Sequence, residues 1–181
     1  MRLRRGVLTA IMLALLIGTQ FVTRSLGQFV TGTLVNLILL VSVFTVGLGG
    51  GLAVAVASPF LAFLAGIGPA LPQVVPFVAA GNAVLVSSAY LVRRYIAEKD
   101  IKKKGIAAAG LIGAGAAKTL FLWVGLVQVA LPLLPGLKEP QIAMLGSAFT
   151  WPQLVTSLCG GALAMLIMPL LQKAAKAFER A

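Results

Sequence analysis

Six apolar stretches, each near the length that crosses a bilayer, constrain this chain more than any other feature. They run over residues 7–22, 29–46, 52–65, 74–92, 106–134 and 151–171, joined by short connections. A spanning helix needs about 20 mainly apolar residues, because it must match a hydrocarbon core of about 30 Å. No water is present there, so a segment must satisfy its own backbone as a helix or join a closed barrel. Barrel strands alternate apolar and polar positions, and these stretches do not. The sequence therefore predicts an all-α integral membrane bundle of six transmembrane helices, with residues 1–181 forming a single domain. Composition agrees: 60% of residues are hydrophobic and 10% are charged, against about 45–50% and about 25% in soluble domains. So few polar side chains could not cover a water-facing surface.

The formal net charge of +11 would suggest nucleic acid in a soluble protein, but here the charge follows the membrane. Arg2, Arg4 and Arg5 precede the first stretch. Arg93, Arg94, Lys99, Lys102, Lys103 and Lys104 lie between the fourth and fifth, and Lys173, Lys176 and Arg180 follow the sixth. Twelve of the fifteen basic residues thus fall on one side, against Arg24 and Lys138 on the other. The positive-inside rule then places both termini in the cytoplasm and leaves no nucleic-acid partner to expect. Such a basic patch also suits anionic lipid. The basic, apolar start resembles a signal peptide, but no small-x-small cleavage site follows in Gly18-Thr-Gln-Phe-Val-Thr-Arg24. It reads as an uncleaved first helix.

Lys118 is the only charged residue deep within any apolar stretch, and no acidic residue lies in those stretches to neutralise it. An ionisable group at a helix centre costs about 2.5–3.5 kcal/mol on insertion scales, so a functional role is the expectation. At about 100° per residue, Lys118, Phe121, Gly125 and Gln128 fall within an arc of about 80°. A cation, an aromatic ring, a gap and an amide on one face suit an anionic or partly aromatic small molecule. Alternatively, if the helix begins late, Lys118 snorkels to the cytoplasmic headgroups.

Other polar groups fall at one depth in the outer half. Asn36 and Asn82 each lie about seven residues, or roughly 10 Å, below the outer ends of their spans. Gln128 is about six residues below the end of the fifth stretch, and Trp151 and Gln153 open the sixth. Buried amides need partners. They either bond helix to helix or converge on a ligand cavity, which pairs apolar walls with a few polar groups. On this spacing Lys118 lies about 15 Å below Gln128, beneath that layer.

The connections carry less chemistry. Gly47-Leu-Gly-Gly-Gly51 lacks the Lys-Ser/Thr of a phosphate-binding loop and reads as a tight turn. The outer connection over residues 66–76 has three prolines, two glycines and no charge, as a lid or a re-entrant packing turn would. With no histidine and one cysteine, a transition-metal site is not expected. Cys159 has no internal disulfide partner and is expected to pack. No nucleophile–base pair is visible, and the four acidic residues lie at predicted aqueous edges, so the chain does not read as an enzyme. Ala10 and Ala14, four apart on the first helix, make a small-x-x-x-small face suited to another helix.

The size, the six spans with both ends inside, the Ala10/Ala14 pair and the apolar outer connections together resemble an S component of an energy-coupling-factor (ECF) transporter. The resemblance covers the whole chain and implies a mechanism. Such a subunit captures a vitamin or related micronutrient from outside and docks on a transmembrane coupling subunit carrying two ATPases. ATP is used by those partners, so this chain needs no cofactor of its own. The resemblance also implies a bacterial cytoplasmic membrane. Ala10 and Ala14 would be docking positions, while Asn36, Asn82, Lys118, Phe121, Gln128 and Trp151 are the candidate substrate contacts read from depth and phase. The alternative is a structural or assembly membrane protein that binds partner helices without transporting a ligand.

Overall fold

The computed structural model describes residues 2–69, 71–98 and 104–178; Lys99, Lys102, Lys103 and Arg180 of the expected basic clusters lie outside them. Helix α1 spans Arg2–Thr23, α2 Gln28–Leu64, α3 Val75–Glu98 and α4 Lys104–Leu122. The last continues as a wide-wound π segment, Trp123–Ala130, and a final turn, Leu131–Leu133. Helix α5 is the short Glu139–Ala148, and α6 spans Trp151–Phe178. Among the described residues, five helical runs are long and apolar enough to cross a membrane.

One of the five is two helices in series. With 37 residues, α2 would extend roughly 55 Å if straight, nearly twice the hydrocarbon core. It does not, because Gly47 has φ 83° and ψ −177°. A Cβ on Gly51 would lie 2.9 Å from Val43 Cβ and 3.0 Å from Val43 Cα. Residues eight apart on a continuous helix are separated by about 12 Å along the axis. The chain therefore reverses at Gly47, and the arm 48–64 returns along the arm 28–46. The expected glycine turn is there, and the second and third apolar stretches are its two arms.

Only glycine occupies that backbone region readily, and other residues held there are strained by about 1–3 kcal/mol. Gly47→Ala is expected to lower the thermal midpoint in detergent by several degrees. Gly49→Ala, whose added methyl meets nothing within 4 Å, is expected to change it little. Equal effects would show that the turn does not depend on the positive φ.

The first arm of α2 is the central rod. Every residue from Asn36 to Val43 is buried, the pattern of a helix covered on all sides. It is flanked by α1, α3 and α6, and α4 packs against α3 and α6. Leu16, Leu39, Leu40, Val43, Val54, Leu85 and Val86 form the main core. A second cluster, with Val74, Leu122, Leu126, Leu131 and Leu145, holds α5 to the opposite end of the bundle from the Gly47 turn.

The two ends differ in charge. Arg5, the Gly47 turn, Arg93 and Arg94 surround one cavity, so the start of α1 and the end of α3 share an end with the turn. Gln172, late in α6, lines a neighbouring cleft with Phe44 and Arg93. The other end gathers the α1–α2 connection, the α2–α3 connection and the α5–α6 junction. There the α2 return arm stops in a Schellman arrangement, Gly66 N–H donating to Phe63 O and Ile67 N–H to Ala62 O. Cys159 was expected to pack, but it faces outward and is exposed.

Candidate functional site

The end opposite the Gly47 turn contains a cavity of about 340 Å³ whose deep wall includes Asn36, Asn82 and Lys118. Lys118 is 3% exposed, Asn36 1% and Asn82 2%. The Lys118 ammonium donates to Asn36 Oδ1 at 2.7 Å and to Asn82 Oδ1 at 2.9 Å. Three helices, α2, α3 and α4, thus converge on one cation. It does not snorkel.

The asparagine orientation is set by a further bond. Asn36 Nδ2 donates to Thr156 Oγ1 at 3.2 Å, and that hydroxyl donates to Gln153 O at 3.1 Å. With Nδ2 so engaged, Asn36 turns its oxygen toward Lys118. The contact between α2 and α6 requires small residues, since a Cβ on Gly32 would come 3.0 Å from Thr156 Cγ2. A Cβ on Gly160 would come 2.8 Å from Asn36 Cβ and 2.9 Å from Leu37 N. Close backbone approach brings Thr156 within reach of Asn36.

Lys118 therefore lies within the polar layer and not beneath it, as spacing had suggested. The depth count assumed uniform helices starting at matched levels. The π segment, Trp123–Ala130, puts more residues in each turn and rises less per residue, so a count at about 1.5 Å per residue overstates the distance from Lys118 to Gln128.

Phase fails for a related reason. The inward face of α4 runs through Leu111, Ala114, Lys118 and Leu122, continuing to Leu126. These residues follow mainly a four-residue step, which turns away from Phe121. Phe121 is 36% exposed and does not line the cavity. Gln128 is exposed as well, because the π segment takes more residues per turn and shifts everything beyond Leu122. Trp151 is 63% exposed and packs its ring against Phe29 at 5.6 Å, outside the cavity. Gly125 faces Phe77, whose ring would lie 3.8 Å from an added Cβ.

Four polar residues not singled out from the sequence do line the cavity: Gln20, Arg24, Gln28 and Thr31. Gln28 Nε2 donates to Ala148 O at 2.6 Å, tying the start of α2 to the end of α5 at the rim. Arg24 lies over the Phe21 ring at 5.0 Å. Their position on and beside the connection between α1 and α2 was the available signal. The connection after α2 supplies Ile67, Gly68 and Pro69 to the same rim. Ala10 and Ala14 are exposed on α1, in a face that includes Val7, Ile11 and Leu15. Among the described residues no cluster of metal-ligating side chains occurs.

Comparison with known families matches residues 8–172 to the model described as "ECF transporter, substrate-specific component". Comparison with curated proteins returns no match, and neither does comparison with solved structures. An all-helical apolar chain with a polar cavity at one end, matched over nearly its whole length, belongs to the family of substrate-specific components of ECF transporters.

Proposed function

We propose that this chain is the substrate-capturing subunit of an ATP-driven uptake transporter, taking a vitamin or related micronutrient from outside. The observation that carries this reading is the cavity itself, with Lys118, Asn36 and Asn82 meeting at its deep wall. In this reading the two arms of α2 cross the membrane separately and the chain makes six crossings as one domain. The basic end, with both termini, faces the cytoplasm. The cavity then faces the exterior of a bacterial cytoplasmic membrane, with the 66–69 segment along its rim as a cover.

Transport chemistry would reside in partners: a transmembrane coupling subunit and two ATPases. The exposed apolar face around Ala10 and Ala14 suits close helix contact with the coupling subunit, because alanines let backbones approach. Nothing in this function requires a catalytic group or a cofactor in this chain.

Tagged protein purified from its native membrane is expected to bring down a membrane subunit and ATPases. Replacing Ala10 and Ala14 by tryptophan is expected to weaken that association by about tenfold or more, roughly 1.4 kcal/mol per decade, while leaving small-molecule binding intact. Recovery of neither ATPases nor a bound small molecule would instead favour a structural or assembly protein.

A further inference from the structure

We propose that the cavity accepts a small carboxylic acid whose carboxylate seats on Lys118; this rests on reading the cavity as the substrate site. An ammonium has three protons to donate, and Lys118 gives two to the oxygens of Asn36 and Asn82. The third serves a group within the cavity that the lysine lines.

Charge carries the argument further than hydrogen bonding. The two amides replace part of the ammonium's hydration, but they are neutral. The chain has four acidic residues, Glu98, Asp100, Glu139 and Glu179, and no acidic residue is among the described residues lining the cavity. Arg24 adds a second cation to the wall. A buried charge without an opposite charge is strongly unfavourable, and low-dielectric surroundings strengthen its attraction for an anion. An aspartate at position 36 or 82 would close the charge inside the protein. Asparagine holds the lysine in place and leaves its charge for a ligand.

Size and valence narrow the class. A volume of about 340 Å³ is at the small end of ligand pockets. One buried ammonium matches a monoanion, since Arg24 is exposed and lies over the Phe21 ring, away from a second charge held at the depth of Lys118. Gln20 Oε1, also in the cavity wall, is buried without a hydrogen-bond partner. It is placed to accept from a hydroxyl or N–H elsewhere on the acid.

The test compares sodium acetate with acetamide at constant ionic strength, reading the thermal midpoint of the purified full chain. Acetate is expected to raise the midpoint and acetamide to leave it unchanged. Asn82→Asp is expected to raise the midpoint of the protein alone and weaken the acetate response by about tenfold or more. Lys118→Met should also remove the response. Equal effects of acetate and acetamide on the wild type would overturn the proposal, as would a full acetate response in Asn82→Asp. A neutral molecule seen by native mass spectrometry in protein from its own membrane would also overturn it, yet leave substrate capture standing. Failure of substrate capture is read separately, from the absence of ATPases in the pull-down.

Discussion

Replacing both Asn36 and Asn82 by leucine is expected to destabilise the protein by about 3–5 kcal/mol, the range seen when a buried charge loses its partners. The loss arises because Lys118, only 3% exposed, would lose both amide oxygens that accept from its ammonium. Either single replacement removes one acceptor and should cost about 1–3 kcal/mol. Adding Lys118→Met to the double variant removes the charge as well, leaving an apolar contact between three helices. Well-packed apolar replacements of buried ionic groups are often neutral or stabilising, so the triple variant should recover most of the loss. Chemical denaturation of all members of this cycle in one detergent measures it. A triple variant no more stable than the double would show that the asparagines hold the helices together independently of the lysine.

Gly160→Ala is expected to be strongly damaging for a single added methyl. Its Cβ would lie 2.8 Å from Asn36 Cβ, 2.9 Å from Leu37 N and 2.9 Å from Thr33 O. Two of these are backbone atoms, which have no rotamer to move out of the way. Overpacking of this kind costs about 1–3 kcal/mol, and more where the backbone must shift. The shift would separate α6 from the first arm of α2, lengthening the bond from Asn36 to Thr156. Acetate response should then fall along with stability. The contrast is Gly146→Ala, whose methyl would meet only Val127 Cγ1 at 3.9 Å, and which should be nearly silent. A silent Gly160→Ala would mean that the two helices are not held at this separation.

Residues legible in the sequence were those whose role depends on composition or on a strong local rule. The apolar runs announced membrane helices, and Gly47 announced a turn. A lone lysine among alanines and leucines announced a buried polar cluster. Asn36 and Asn82 were reachable by counting from span ends, since each lies on a regular helix. Phe121, Gln128 and Trp151 were misplaced because phase and depth were carried along an ideal helix. The fifth span is not ideal beyond Leu122, and Trp151 had an aromatic partner in Phe29 that spacing does not reveal. Arg24 and Gln28 flank a connection and Gln20 lies in the last turn of α1, where neither period nor depth specifies direction.

By itself the sequence determined that the chain inserts in a membrane, folds as helices and concentrates its positive charge at one end. Those outcomes follow from solvation, which acts on each segment wherever its neighbours lie. What only the tertiary structure decided is which polar groups meet. Close approach at Gly160 brings Thr156 to Asn36, and packing of α2, α3 and α4 brings two amides to one ammonium. Such contacts depend on helix rotation to within a side chain's reach, and rotation is fixed by packing between helices that are distant in the chain.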